Sequence, residues 1–385
     1  MTELESKYGV KRILNAMGMS TMVGANVVRP EIRKIADEAM SMSFEIDELQ
    51  AAASRAIAKA TGSEAGCVTA CCASGIAVTT AAAMTGTDLG RILQLPDTEG
   101  MKNEVVMQLG HNLNFGGEVA QMVRLTGAKL KLLGTANHCD AFHLRNAIGP
   151  NTAAVLFVEN GVVHPEGNFV SLEDCVELAG RHGVPVLVDA AGEADVRPFI
   201  EAGAGAVITS AHKAMGAPTS GMICGKRDLI HATYLQNWGI GRAMKVGKEG
   251  IAGCMAAVER WYARDLDAER QRWDRLAGIL GKQLRVCHTA GDPVAHVEVP
   301  PSVGLTARQV ANVLREGDPA VWVRGTRDAA DSHSLALALR VMDEADAAAI
   351  AAAIKRVFDN PKPPADNVPF HDLYWSEKRL LNWGR

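Results

Sequence analysis

The middle of the chain alternates short apolar runs with helical patterns, and this alternation constrains the fold more than any other feature. Five apolar runs bounded by glycine, proline or polar residues are predicted as buried strands: Val105–Leu109, Ala128–Leu133, Ala153–Val158, Pro185–Val188 and Ala206–Thr209. Helical stretches lie between them, such as Gly117–Thr126 and Ser171–His182. Buried strands that alternate with helices predict an α/β fold with a mostly parallel sheet and helices on both faces.

The pattern differs in the last third of the chain. Residues 249–284 read as one long charged helical region, in which Trp261 and Trp273 are predicted as core anchors. Strands and helices then alternate again over a shorter stretch: Ala295–Val299, Thr306–Glu316, Ala320–Arg324, Leu335–Val341 and Asp343–Phe358. We therefore expect a large domain over residues 1–250, and a linking helix with a smaller α/β domain over residues 251–385.

Composition and charge exclude several classes of protein. The 385 residues include 40 Lys and Arg and 44 Asp and Glu, a net charge of −4, so no nucleic-acid partner is expected. No apolar run reaches the roughly 18 residues of a membrane helix, and the first residues lack the layout of a signal peptide. We therefore expect a cytoplasmic protein. The eight cysteines form no Cys-x-x-Cys pair, and no metal site is predicted.

The segment around Lys213 is the most informative chemical motif. An apolar strand runs into Ser210, Ala211 and His212, and Lys213 is followed by glycine-rich chain. A lysine at the carboxyl end of a parallel strand faces the crevice in which such folds bind ligands. A lone lysine is usually a solvated surface charge. Here it lies between two apolar strands, where desolvation favours the neutral, nucleophilic amine.

Two further segments support a ligand site at the same edge of the sheet. Asp189 ends a wholly apolar strand, where it is either a helix N-cap or the carboxylate that keeps a pyridine nitrogen protonated. Ser74 and Gly75 lie at the start of an alanine-rich helix, whose first N–H groups suit a phosphate. Each signal is weak alone. A strand-end aspartate, a lysine one βα unit later and a small-residue helix start are stronger together.

These segments resemble the fold type I pyridoxal-phosphate (PLP) enzymes, and specifically the bacterial selenocysteine synthase family. The branch similar to D-glucosaminate-6-phosphate ammonia-lyase is the nearest in pattern. The resemblance covers most of the chain, and its specific parts are the Asp189 strand, the Lys213 turn and the stretch Arg242–Glu249. It implies the fold of those enzymes, with a mostly parallel sheet in the large domain and a smaller C-terminal α/β domain.

The resemblance implies a role for each residue of the PLP site. Lys213 is expected to bind PLP as a Schiff base and to move the Cα proton, and Asp189 to pair with the pyridine nitrogen. Ser74 and Gly75 are expected at the phosphate, with Ser210 as a second contact.

Two histidines and a basic stretch complete the candidate residues. His111 is expected to stack on the cofactor or to be structural, and His212 adjoins the lysine as a candidate acid or base. Arg242, a candidate substrate contact, and Lys248, a candidate cofactor contact, belong with Lys245 to a basic, glycine-rich stretch. This stretch is either a solvated turn or an anion site that would complete the cofactor site of a neighbouring subunit. Arg340 is expected to hold a substrate carboxylate or to form a salt bridge. The roles of Cys71 and Cys72 stay open.

The resemblance implies β-elimination from a hydroxylated amino acid, which yields a 2-oxo acid and ammonia. An amino-acid racemase or epimerase is the alternative, since both reactions begin with loss of the Cα proton. An aminotransferase and a tRNA-dependent selenium transferase are weaker alternatives, the latter because the basic tRNA-binding domain of the selenocysteine synthases is missing. The expected partners are a small amino-acid substrate and further copies of the chain, in a dimer or a larger homo-oligomer.

Overall fold

The computed structural model describes residues 2–159, 167–324 and 333–364. Its strands are β1 Ile13–Ala16, β2 Ala65–Thr69, β3 Glu104–Gln108, β4 Lys129–Leu133, β5 Thr152–Val158, β6 Val186–Asp189, β7 Ala206–Ser210, β8 Gly221–Gly225, β9 Val286–Cys287, β10 Val294–Glu298, β11 Ala320–Val323 and β12 Ser334–Ala338. Its helices are α1 Glu3–Tyr8, α2 Pro30–Ser41, α3 Ile46–Thr61, α4 Cys72–Thr85, α5 Leu89–Gln94, α6 Val119–Arg124, α7 Ala141–Ala147, α8 Leu172–Gly180, α9 Arg197–Glu201, α10 Arg227–Leu235, α11 Lys248–Tyr262, α12 Leu266–Gly281, α13 Ala307–Glu316 and α14 Glu344–Asp359.

The chain divides into two compact units, and the division differs from the expected boundary at residue 250. The larger unit is Val28–Ala263, and the smaller unit combines the described residues before 28 with those from 264 onward. The N-terminal segment belongs to the smaller unit because β1 pairs in parallel with β11. The helix α11 belongs to the larger unit, where it packs against α2 and α3.

A seven-stranded sheet forms the centre of the larger unit. Its strand order is β2-β8-β7-β6-β5-β3-β4. The strand β8 is antiparallel to both of its neighbours, and the remaining pairs are parallel. Every residue of β5, β6, β7 and β8 is buried, as expected for strands covered by helices on both faces. The predicted mostly parallel α/β sheet is confirmed.

The predicted strands correspond to observed ones, with ends that differ by at most three residues. The strands β3, β4, β5, β6 and β7 account for the five central predictions, and β10, β11 and β12 for the three later ones. The prediction of a single helix over residues 249–284 is wrong. Helix α11 ends at Tyr262, and Asp265 begins α12 as an N-cap that accepts hydrogen bonds from Asp267 N at 2.9 Å and Ala268 N at 3.0 Å.

The smaller unit contains a three-stranded antiparallel sheet, in the order β12-β10-β9, and the parallel pair β1-β11. Its core includes Trp273, which is 7% exposed, whereas Trp261 is buried in the larger unit. Both tryptophans are thus core residues, as predicted. The predicted irregular tail with Trp375 and Trp383 lies outside the described residues. No helix within the described ranges is long and apolar enough to cross a membrane.

Candidate active site

The carboxyl ends of four strands bring the candidate residues to one edge of the large sheet. The strands β2, β3, β6 and β7 run parallel to one another, since β8 reverses direction between β2 and β7. Four segments therefore meet at this edge: residues 70–75 after β2, residues 109–111 after β3, Asp189 at the end of β6, and residues 210–213 after β7. This is the edge at which open α/β sheets bind ligands.

Asp189 is a buried carboxylate with one oxygen engaged. The residue is 5% exposed, and its Oδ1 accepts hydrogen bonds from Cys72 Sγ at 3.2 Å and from Ala191 N at 3.1 Å. Its Oδ2 accepts none from any residue that the structure describes. Burial raises the pKa of the carboxyl, and the Cys72 hydrogen bond, the Ala191 N–H and the charge of Lys213 oppose that rise. The next helix, α9, begins only at Arg197, so Asp189 is not a helix N-cap.

Lys213 lies in a compact turn between β7 and β8. Its N–H donates to Ser210 O at 3.1 Å, and the N–H of Ala217 donates to Ala211 O at 3.1 Å. Gly216 has a φ of +70°, a conformation that glycine adopts without strain. The turn therefore holds Lys213, which is half-buried, beside the end of β6. The Lys213 charge acts on both the Asp189 carboxyl and the Cys72 thiol, so the structure brings the predicted lysine and aspartate together.

His212 is bonded to the backbone through one ring nitrogen, and its role as an acid or base stays a prediction. Its Nδ1–H donates to Ser220 O at 3.1 Å. Desolvation lowers the pKa of the ring, the Ser220 carbonyl opposes this, and the Lys213 charge lowers the pKa further. Because the pKa lies below its usual value near 6.5, the ring is neutral at pH 7 and Nε2 is its acceptor.

The start of α4 presents N–H groups to the same edge. The hydroxyl of Ser74 donates to Cys71 O at 2.7 Å and accepts from Cys71 N at 2.9 Å, which makes it part of a capping box. The first N–H groups of the helix, at Cys72 and Ala73, have no acceptor within the described part of the chain. Such groups and the helix dipole favour an anion. The predicted phosphate contact of Ser74 stays a prediction, and its hydroxyl already stabilises the helix start.

Gly75 has a packing role that the sequence did not reveal. Its N–H donates to Cys71 O at 3.0 Å within the first turn of α4. A Cβ at this position would lie 2.5 Å from Ile208 Cγ2 on β7. Glycine therefore lets α4 approach the sheet closely, and its predicted contact with a phosphate stays a prediction. Gly221, at the start of β8, also allows a close approach, because a Cβ there would lie 2.4 Å from Cys71 O.

The basic stretch is bonded to the loop that leads into α4. In the 3-10 turn Ile240–Met244, the carbonyl of Met244 accepts hydrogen bonds from Thr69 Oγ1 at 3.3 Å and Ala70 N at 3.4 Å. Arg242 belongs to this turn and is exposed. Lys248 is bonded elsewhere, because its Nζ donates to Met42 O and, at 3.1 Å, to the carbonyl of Met40 at the end of α2. This contact stabilises a helix C-terminus, and a cofactor role for Lys248 stays a prediction.

His111 is buried behind two phenylalanine rings. It is 7% exposed, and its Nδ1 accepts a hydrogen bond from Val158 N at 3.1 Å. Its ring centroid lies 4.8 Å from that of Phe157 and 5.5 Å from that of Phe169. A Cβ at Gly110 would lie 2.3 Å from Phe169 Cζ, so glycine is required beside this cluster. These contacts fix the ring at the carboxyl edge of the sheet, and its stacking on a cofactor stays a prediction.

Two remaining sequence predictions concern Arg340 and metals. Arg340 lies in the smaller unit, with its guanidinium carbon 5.2 Å from the centroid of the Trp273 ring. Desolvation lowers the pKa of this guanidinium, and the charge of Glu269 opposes that shift. Its role toward a substrate carboxylate stays a prediction. Among the described residues there is no cluster of three or more His, Cys, Asp or Glu side chains that could hold a metal ion.

Sequence reasoning missed several residues of this site. Cys72 contacts Asp189, Thr69 bonds to the basic turn, and Phe157 and Phe169 enclose His111. A cysteine two residues before Ser74 was visible in the sequence, but no local pattern pointed to an aspartate 117 residues away. These contacts depend on which strands are neighbours in the sheet.

The chain is similar to known proteins in both sequence and fold. The sequence model of the family described as SelA, L-seryl-tRNA selenium transferase, matches residues 13–284. D-glucosaminate-6-phosphate ammonia lyase of Salmonella typhimurium (strain 14028s / SGSC 2262) is 35% identical over 328 residues, which cover 83% of this chain and 88% of that protein. The 5'-C-glycyluridine monooxygenase-decarboxylase of a Streptomyces species is also 35% identical, over 331 residues and 82% of each chain.

Solved structures extend the comparison to three dimensions. A structure of D-glucosaminate-6-phosphate ammonia-lyase aligns with a TM-score of 0.86 at 32% identity, over 93% of this chain and 99% of that one. Sphingomonas wittichii serine palmitoyltransferase aligns with a TM-score of 0.55 at 14% identity, over 90% and 88% of the two chains, which shows a shared fold. These findings confirm the fold class, the resemblance and the PLP-dependent enzyme class predicted from the sequence. This chain belongs to the SelA family.

Proposed function

We propose that this chain is a PLP-dependent ammonia-lyase that converts a hydroxylated amino acid to a 2-oxo acid and ammonia. The observation that carries the proposal is the placement of buried Asp189 beside Lys213 at the carboxyl edge of the sheet. The similarity to D-glucosaminate-6-phosphate ammonia lyase over 83% of the chain supports the choice of reaction.

The residues at this edge fit PLP. The Lys213 amine would bind the aldehyde, and Asp189 Oδ2 accepts no hydrogen bond from the described residues and would meet the ring nitrogen. The N–H groups of Cys72 and Ala73 at the start of α4 would meet the phosphate. When bound, PLP supplies an electron sink that makes the Cα–H bond of an amino acid acidic.

The chain's own groups divide the proton transfers. Lys213 Nζ would take the proton from Cα and deliver it to the departing β-hydroxyl, so that water leaves. His212 is a poor proton donor here, because it is neutral and its N–H is bonded to Ser220 O. Elimination releases one water and leaves an enamine, and hydrolysis of that enamine consumes one water. The net products are therefore a 2-oxo acid and ammonia.

The test of the reaction is a substrate panel. The protein loaded with PLP is incubated with D- and L-3-hydroxy amino acids, with D-glucosaminate 6-phosphate among them, and 2-oxo acid, ammonia and optical rotation are measured in deuterated water. We expect 2-oxo acid and ammonia in equal amounts, with Lys213→Ala as the inactive control. Deuterium at Cα of recovered, inverted amino acid without 2-oxo acid would establish the racemase alternative instead.

A second candidate reaction follows from the Streptomyces relative, whose identity to this chain is also 35%. That protein is a monooxygenase-decarboxylase, so the same panel is run with an oxygen electrode and a carbon dioxide assay. Oxygen uptake matched by carbon dioxide release, without 2-oxo acid from a hydroxylated substrate, would favour oxidative decarboxylation over elimination.

We also propose that the chain acts as a homo-oligomer on a small-molecule substrate, without nucleic acid. The exposed Arg242, in a turn bonded to the loop before α4, supports a contribution of the basic stretch to a neighbouring site. Light scattering combined with activity tests the proposal, and a fully active monomer would refute it. The cytoplasmic location stays a prediction.

A further inference from the structure

A buried thiol contacts the carboxylate that we assign to the cofactor ring. Cys72 is the first residue of α4 and is 5% exposed. Its Sγ lies 3.2 Å from Asp189 Oδ1, although 117 residues separate the two along the chain. The contact arises because β2, which precedes α4, and β6 both end at the same edge of the sheet.

The proton of this contact belongs to the sulfur. Burial raises the pKa of the Cys72 thiol well above its ordinary value, and the charge of Asp189 raises it further. The hydrogen bond in turn lowers the pKa of the Asp189 carboxyl, against the effect of its burial. The contact is therefore an S–H donor bonded to a carboxylate oxygen.

Two donors on one oxygen fix the orientation of the carboxyl group. The Cys72 thiol and the Ala191 N–H, at 3.1 Å, both bond to Oδ1 of Asp189. The two hydrogen bonds hold the side chain in one orientation, in which Oδ2 accepts no hydrogen bond from the described residues. Without the thiol, the Ala191 N–H alone would remain on Oδ1, and the carboxyl group could rotate.

The adjacent Cys71 has a different task. Its Sγ accepts a hydrogen bond from Ser74 N at 3.4 Å and caps α4. The two neighbouring cysteines are therefore not equivalent, and only Cys72 contacts Asp189.

We propose that Cys72 is a positioning residue for the cofactor, whose thiol holds Asp189 with Oδ2 directed to the ring nitrogen of PLP. The inference rests on the proposed function, because it requires that PLP binds at Asp189 and Lys213. The thiol would increase the affinity for PLP and would take no part in the proton transfers.

The test is the dissociation constant of PLP from the apoprotein, measured by the visible absorbance of the complex. Cys72→Ala should raise Kd about tenfold, the size expected for a lost hydrogen bond to a charged group. Cys72→Ser retains a donor and should stay within about twofold of the wild type. Cys175→Ala removes a buried thiol of α8, 1% exposed, and serves as the matched control with an unchanged Kd.

A double-mutant cycle separates this task from simple packing. If the thiol acts through the carboxylate, Cys72→Ala should change Kd less than about twofold in an Asp189→Ala background, which has no acceptor for the thiol. Cys72→Val, which fills the space without a donor, should show the same loss as Cys72→Ala and replaces it if the alanine variant does not fold.

Each failure has its own signature. A wild-type protein that develops no visible PLP absorbance would overturn the proposed function and the inference with it. A wild type that binds PLP, with Cys72→Ala binding equally tightly, would overturn the positioning task alone. The same loss of affinity with and without the Asp189 carboxylate would also overturn it.

Discussion

Replacing Gly75 by alanine should destabilise the protein although it adds a better helix former. The added Cβ would lie 2.5 Å from Ile208 Cγ2, which is closer than two non-bonded carbon atoms can approach. Ile208 is fully buried and β-branched, so its methyl group has little room to move. Overpacking of this kind costs about 1 to 3 kcal/mol, and alanine returns up to about 1 kcal/mol of helix propensity. We expect a net loss of about 1 to 2 kcal/mol.

The assay is equilibrium unfolding of the apoprotein in urea, followed by far-UV circular dichroism. Gly180→Ala is the matched control, since Gly180 also lies in a helix of the larger unit and a Cβ there would meet no atom within 4 Å. The control should be neutral or stabilised by up to about 1 kcal/mol. The m-value should be unchanged in both variants, so that the midpoint reports stability.

The stability and the PLP affinity of Gly75→Ala together distinguish a packing role from a phosphate contact. A Gly75→Ala protein at least as stable as the wild type would refute the close approach of α4 to β7. The added methyl group should also push the start of α4 away from β7. Because this would move the N–H groups of Cys72 and Ala73, the Gly75→Ala apoprotein should bind PLP more weakly. Normal stability with weakened PLP binding would point instead to the direct phosphate contact predicted from the sequence.

Three further predictions test single residues. Borohydride reduction of the loaded protein should fix PLP on Lys213, and a peptide mass assignment to another lysine would contradict the site. Because the pKa of Asp189 is raised in the folded state, the carboxyl favours folding when protonated and loses that contribution as the pH rises through the folded pKa. Asp189→Asn should therefore stabilise the apoprotein more at pH 7 than at pH 4 in urea unfolding, and a gain independent of pH would contradict the burial argument. Lys248→Met should lower stability by about 0.5 kcal/mol through the lost contact with the end of α2, with an unchanged Kd for PLP. A raised Kd would restore the cofactor role predicted for Lys248.

Local patterns in the sequence were sufficient to place most strands. The apolar runs of β3, β4, β5, β6 and β7 are bounded by turn residues, and their ends were found to within two positions. The break after Tyr262 was missed because residues 263–265 contain no glycine or proline. Only the side chain of Asp265, which caps the next helix, shows where one helix stops and another begins.

The sequence did not show which segments of the chain belong to each of the two units. The N-terminal segment belongs to the smaller unit because β1 pairs with β11, about 300 residues away. Nothing within β1 specifies that partner, since strand pairing depends on which apolar faces meet after the chain has folded.

The sequence by itself identified the two residues to which we assign the chemistry. Asp189 and Lys213 each follow a short apolar strand, and the carboxyl ends of parallel strands meet at one edge whatever the rest of the fold. Their pairing was therefore predictable from local patterns, and the structure places them together.

Only the tertiary structure decided what surrounds these two residues. The thiol of Cys72 reaches Asp189, a Cβ at position 75 would strike Ile208, and the amine of Lys248 bonds to the end of α2. Each of these contacts joins residues that are far apart in the chain and are brought together by strand order and helix packing. Periodicity is a property of a few neighbouring residues, whereas a hydrogen bond or a close approach of about 3 Å depends on the arrangement of the whole sheet.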